Sequence, residues 1–137
     1  MATYRGTDGA DTLEGGAGDD TYIVNDPGDV LIDAGGIDTV RTYLSWDLGP
    51  RFENLIITGH SATSSQGNDL DNLMVGNDAD NYFNARGGDD TLIGGAGNDY
   101  FDMSAGQTSS PGYDSIDGGD GIDTVDFDGY ATSALVA

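Results

Sequence analysis

The sequence predicts an all-β fold in which short parallel strands coil into a solenoid, and three observations carry that prediction. A nine-residue unit recurs as GGAGDDTYI at 15–23, GGAGNDYFD at 94–102 and GGDGIDTVD at 118–126. Each unit joins a six-residue glycine–aspartate turn to three residues whose middle member is large and apolar, the alternation of a strand buried on one face. Apolar residues make up only 36% of the 137 residues and come as short islands between turns, too few and too scattered for a compact globule.

The turns carry the chemistry. Glycine reaches backbone conformations with φ > 0 that other residues resist, so such a turn can curl tightly and aim its carbonyl oxygens at one point. The closing aspartate adds a hard anionic oxygen there. Carboxylate and carbonyl oxygens are the donors Ca²⁺ takes, usually about six to eight of them. The expected ligands in the three full motifs are Gly15, Gly16, Gly18 and Asp20; Gly94, Gly95, Gly97 and Asp99; and Gly118, Gly119, Gly121 and Asp123. Tyr22, Phe101 and Val125 are expected to face inward.

Read in nines from Gly6, an N-terminal block (1–41) places Asp11, Asp20, Asp29 and Asp38 at the sixth position and Leu13, Tyr22, Leu31 and Val40 at the eighth. Pro27 lies inside a turn, where a missing N–H does no harm. From 42 to 66 the rhythm loosens into a strand-rich spacer that continues the solenoid. Its segments 42–49 and 52–59 read as strands around a Gly49–Pro50 turn, with Tyr43, Trp46, Leu55 and Ile57 as core or wall. Residues 59–66 read as a loop, and the spacer shows no ligand pattern. A C-terminal block (67–126) resumes the nines with Asn72, Asn81, Asp90 and Asp99 at the sixth position; asparagine is a neutral and weaker calcium ligand. Residues 103–117 read as one repeat carrying a six-residue insertion with Pro111, ending on Asp114 and Ile116. Residues 127–137 leave the pattern as a cap or truncated end. Two nonapeptides make one coil, so equivalent turns stack every 18 residues with strands about 4.8 Å apart. The facing pairs are then Asp11 with Asp29, Asp20 with Asp38, Asp90 with Asp114, and Asp99 with Asp123.

Charge supports the same reading. The formal net charge is −21, from 25 acids against 4 arginines, and all the acids but Glu14 and Glu53 are aspartates. A generic acidic surface would mix in glutamate; the bias favours short side chains in turns. Nucleic acid and anionic membrane surfaces, which need basic patches, are excluded as partners, while polycations are compatible. Close carboxylates repel by about 1 kcal/mol per pair even in water, so the stacked array needs several counter-cations, with Ca²⁺ the best match. A disordered acidic chain is the bland alternative, and the regular apolar spacing counts against it. There are no cysteines, so bound calcium stands in for disulfides as the staple of a thin fold. No apolar run is long enough for a membrane span, and the first residues lack the basic, apolar pattern of a signal peptide. That absence fits cytoplasm, a non-classical export route or an excised fragment.

Catalysis has little support in the sequence. The single histidine, His60, sits among glycine and serine with no motif to place a triad. Adjacent acids such as Asp19–Asp20 and Asp89–Asp90 point apart on an extended chain, which argues against a glycosidase pair. Tyr43, Trp46, Phe52, Tyr82, Phe83, Tyr100 and Phe101 are candidates for a polysaccharide-stacking platform, although such residues more often form core or wall. The open ends of a solenoid also favour end-to-end stacking into a homo-oligomeric scaffold or filament.

The nonapeptides resemble the RTX (repeats-in-toxin) family, over 6–41 and 67–126. The resemblance implies a right-handed parallel β-roll filled with calcium. It also implies a bacterial protein exported by a one-step type I route, without an N-terminal signal, that folds on meeting extracellular Ca²⁺. Family members usually attach the β-roll to a protease, lipase, toxin, epimerase or adhesin; the pattern here shows the β-roll alone, as a non-catalytic module. Asn72, Asn81, Ala85–Arg86 and Asp33–Ala34 depart from the repeat, which makes those turns partial sites.

Overall fold

The computed structural model describes residues 1–104 and 112–127, together with the backbone of the strand Leu135–Val136. Every strand pairing among them is parallel. The strands collect into an eight-stranded sheet, a four-stranded sheet and a two-stranded pair. In the large sheet Thr3–Arg5, Thr21–Val24, Thr39–Thr42, Asn54–Ile57, Leu73–Val75, Thr91–Ala96, Ser115–Asp120 and Leu135–Val136 lie side by side in chain order. Thr63–Gln66, Asn81–Asn84, Tyr100–Asp102 and Thr124–Asp126 form the second sheet, and Thr12–Glu14 pairs with Val30–Ile32. Apart from Thr39–Thr42 and Asn54–Ile57, which have no strand between them, consecutive strands of a sheet are separated by a strand of another sheet, which makes the molecule a parallel β-solenoid.

The eighth positions form the core because period-two alternation turns them inward on every rung. Tyr22, Val40, Leu55, Met74, Leu92 and Ile116 stand in register down the large sheet and are buried to 0% exposure. Phe83 and Phe101 face them from the second sheet, 6.0 Å apart between centroids and equally buried. Burial of one such side chain contributes about 1.5–3 kcal/mol. Val125, at the last described rung, is half-buried against this core.

The spacer departs from its reading in its strands. Residues 59–66 are not all loop, since Thr63–Gln66 is a strand paired to Asn81–Asn84. Residues 43–49 form no regular strand; Asp47 makes one parallel bridge to Gln66. Tyr43 is 50% exposed and donates its hydroxyl to the Asn25 carbonyl at 2.9 Å, so it is outer wall only. Phe52 is buried edge-on against Tyr22 at 5.2 Å and 85°; with Phe83 and Phe101 also inside, three of the seven platform aromatics offer no face to a sugar. Leu55 and Ile57 are core as read. Of the insertion, 105–111 lies outside the described residues, as does most of the cap segment 127–137. The register nevertheless steps by 24 residues where the unbroken nonapeptide pairs step by 18, with Thr91 opposite Ser115 and Tyr100 opposite Thr124. The six additional residues therefore leave the strand columns in line.

Candidate metal centre

The sixth-position side chains form two columns, one at each edge of the coil. Within a column, each residue's backbone N–H donates to the side-chain oxygen of its counterpart one coil further along. Asp11 donates to Asp29 Oδ1 at 2.9 Å, Asp20 to Asp38 Oδ1 at 2.7 Å, Asp90 to Asp114 Oδ1 at 2.9 Å and Asp99 to Asp123 Oδ1 at 2.9 Å. All four facing pairs read from the spacing are brought together. Asn72 and Asn81 join the same columns by donating to Asp90 Oδ1 and Asp99 Oδ1, at 2.7 and 2.8 Å.

The other oxygen separates the turns into two kinds. In Asp11, Asp20 and Asp29 it accepts a backbone N–H four residues back, from Thr7, Gly16 and Asn25. In Asp38, Asp90 and Asp99 the Oδ2 atom is buried and has no donor at all. These three residues are at most 1% exposed, and a buried anionic oxygen without a partner is costly. Asparagine at the same position behaves differently. Asn72 spends its amide N–H groups on the Phe52 and Glu53 carbonyls and on Asn68 Oδ1, and Asn81 on Thr63 Oγ1 and Asn77 Oδ1. Where the column has an asparagine, the turn satisfies itself; at Asp38, Asp90 and Asp99 one buried anionic oxygen has no protein donor.

Electrostatics point the same way. Burial, reinforced by the charges of neighbouring aspartates, pushes the Asp90 carboxyl up to about 8 and the Asp38 carboxyl to about 6. Burial also raises Asp99 and Asp114 above the ordinary carboxylate range. Asp11 shifts the other way, because the backbone N–H of Thr7 binds its charged form.

The glycines divide by role. Gly94 and Gly118 are required for space, since a Cβ on either would collide with the Oδ2 of Asp99 or Asp123, and at Gly15 it would collide with the Tyr22 hydroxyl. Gly95, Gly97, Gly119 and Gly121 supply the expected left-handed turns, with φ of 108°, 105°, 87° and 136°. Gly16 and Gly18 do not; the N-terminal turn closes without a left-handed residue there.

Two column residues and one first-position aspartate escape the nonapeptide reading. Glu53 takes the sixth-position place after Asp38, whose N–H it accepts at 2.8 Å on Oε2. Its signal was the acid–polar–apolar triplet Glu53-Asn54-Leu55, which matches Asp-Thr-Leu elsewhere but falls out of phase with the nines. Thr63 fills the place before Asn81, where no acid marks it. Asp33, whose turn reads as a partial site, lies with Asp20 and Asp38 in a buried trio in which each residue offers one carboxylate oxygen within 4.8 Å of the other two. Opposite oxygens on a calcium ion are about 4.6–5.2 Å apart at ordinary Ca–O lengths, and about 4.0–4.2 Å on magnesium. The donor set is oxygen only, which suits calcium and disfavours the metals of imidazole and thiolate sites. His60, by contrast, is exposed and pairs with Asp78 at 2.8 Å.

A parallel solenoid with columns of buried turn carboxylates defines a β-roll of the calcium-binding class. The chain carries four copies of the RTX calcium-binding nonapeptide repeat, matched over residues 3–26 and 66–102. It is also similar to the endo-1,3-1,4-beta-glycanase ExsH of Rhizobium meliloti (strain 1021), 39% identical over 67 residues. That alignment covers 47% of this chain and 14% of the glycanase.

Proposed function

We propose that this chain is a secreted, non-catalytic β-roll module that folds when its turn aspartates meet extracellular Ca²⁺. The observation that carries the reading is the contrast between the orphaned Oδ2 atoms of Asp38, Asp90 and Asp99 and the self-satisfied amides of Asn72 and Asn81. Asp11, Asp20, Asp29, Asp114 and Asp123 are the partner carboxylates, and the carbonyls of Gly15, Gly16, Gly18, Gly94, Gly95, Gly97, Gly118, Gly119 and Gly121 are the neutral donors. A bound ion would supply positive charge between stacked turns. The chain supplies buried, pre-aligned oxygens, so that binding free energy becomes folding free energy. Low intracellular calcium then keeps the chain extended, and higher calcium outside the cell folds it.

Far-UV circular dichroism with and without chelator tests this. β-structure in millimolar calcium and coil in chelator are expected, and matching spectra would remove the mechanism. Asp99→Ala should raise the calcium needed for folding and His60→Ala should leave it unchanged; equal effects would reject the assignment. A second reading, an accessory module that holds polysaccharide for an attached enzyme, is favoured by the likeness to part of a glycanase. The strip along the half-buried Trp46 and the exposed Ser64 and Gln66 is its candidate contact. A glycan array in calcium, with no binding by the folded chain, would reject it.

A further inference from the structure

Every full motif keeps glycine at the first turn position, yet one turn has an aspartate there. Asp33 is 8% exposed, and its side chain runs inward. Its Oδ1 accepts the Tyr22 hydroxyl at 2.8 Å, and its Oδ2 accepts the Gly35 N–H at 2.5 Å. Beside it stand Asp20 and Asp38, 5% and 0% exposed. Asp38 Oδ1 is occupied by the Asp20 N–H, whereas its buried Oδ2 has no partner. Among the described residues this is the one place where three acidic side chains converge; the Asp90–Asp114 and Asp99–Asp123 turns each bring two.

We infer that Asp33 turns an apparent defect of the repeat into the molecule's tightest metal site. It holds one calcium-sized cation between Asp20, Asp33 and Asp38 beneath the Tyr22 phenol, and that site fills before the others. The inference rests on the calcium-binding reading above and adds an order to it. Three anionic ligands attract a hard cation more strongly than two, because affinity in oxygen sites follows the number of charged ligands. The three carboxylates are also buried, and the Tyr22 ring beside them stacks on Tyr4 at 5.4 Å and meets Phe52 edge-on. A cation bound there would satisfy Asp38 Oδ2 and tie the turn at 33–38 to the preceding coil. The N-terminal end of the solenoid would therefore order first.

Terbium(III), a luminescent stand-in for calcium that nearby phenols sensitise, reports on this site directly. In the full chain, excited through tyrosine, the first equivalent of terbium should give bright emission that calcium displaces. Tyr22→Phe should remove that first-equivalent emission while later equivalents still bind. Asp33→Gly restores the repeat consensus, and Asp33→Asn keeps the shape without the charge; both should weaken the first equivalent by about tenfold or more while circular dichroism in excess calcium stays that of the parent. If either Asp33 variant titrates like the parent, or Tyr22→Phe keeps the early emission, the assignment is overturned although the chain still binds metal. If the parent itself binds neither terbium nor calcium, the calcium-binding reading fails as well.

Discussion

At the scale of single residues, the difference between aspartate and asparagine at one turn position separates two ways of closing a coil. Asn81 donates its amide to Thr63 Oγ1 at 3.2 Å and to Asn77 Oδ1 at 3.1 Å, and so closes its turn with protein groups alone. Asn81→Asp discards both donors and sets a new carboxylate beside Asp99. In chelator the variant should lose about 1–3 kcal/mol, the cost of leaving buried acceptors unmet. In calcium it should recover that loss or exceed it, because the turn gains a charged ligand. Denaturant midpoints in the two conditions check this, and a variant equally destabilised in both would show that the amide position has no relation to metal. Tyr22 makes a related point about sequence context. Its hydroxyl is raised well above the ordinary phenol range by burial, then by the hydrogen bond to Asp33 and the charges of Asp33, Asp38 and Asp20. It thus remains a neutral donor among carboxylates.

At the scale of the element, the turn at 85–90 shows what the repeat tolerates. Arg86 occupies the second turn position with φ 71°, where Gly95 and Gly119 adopt comparable left-handed conformations. A non-glycine residue there costs about 1–2 kcal/mol, while glycine returns about 0.5–1 kcal/mol through its freer unfolded chain. Arg86→Gly should therefore stabilise the calcium-bound fold by up to about 1 kcal/mol, and Arg86→Ala should not, as chemical denaturation in calcium would show. The same logic explains which elements were legible in the sequence. Where the nines run unbroken, the strands, the inward eighth positions and the four aspartate pairs follow from periodicity alone, since one register places every rung. In the spacer the coil changes length: 15 residues from Thr39 to Asn54, then 19 from Asn54 to Leu73. Period counting therefore lost Glu53 and the strand Thr63–Gln66. Asp33 was not legible for a different reason, because a motif records which side chain is usual and not what an unusual one can reach. Only its approach to Asp20, Asp38 and Tyr22 in three dimensions sets it apart from the other turns.

At the scale of the whole molecule, the −21 charge is a cost the fold must meet with protons or cations. Asp38 and Asp90 are raised from 3.8 to about 6 and about 8, and Asp99 and Asp114 are raised as well, so without metal the fold holds these groups best when they are protonated. Their contribution is fully present below the unfolded value near 3.8 and is lost as pH climbs through about 6 to 8. In chelator, β-structure should thus decline between pH 5 and pH 8.5. In calcium it should rise over that range, because protons then compete with the ion for the same oxygens. Circular dichroism against pH in the two buffers gives the slopes, and slopes of the same sign would contradict the account. The columns also run one way: each backbone N–H reaches toward the coil ahead, and each carboxylate receives from the coil behind. The rod accordingly has a donor end and an acceptor end. A neighbour that continues the columns joins tip to tail, giving a polar fibre that grows differently at its two ends.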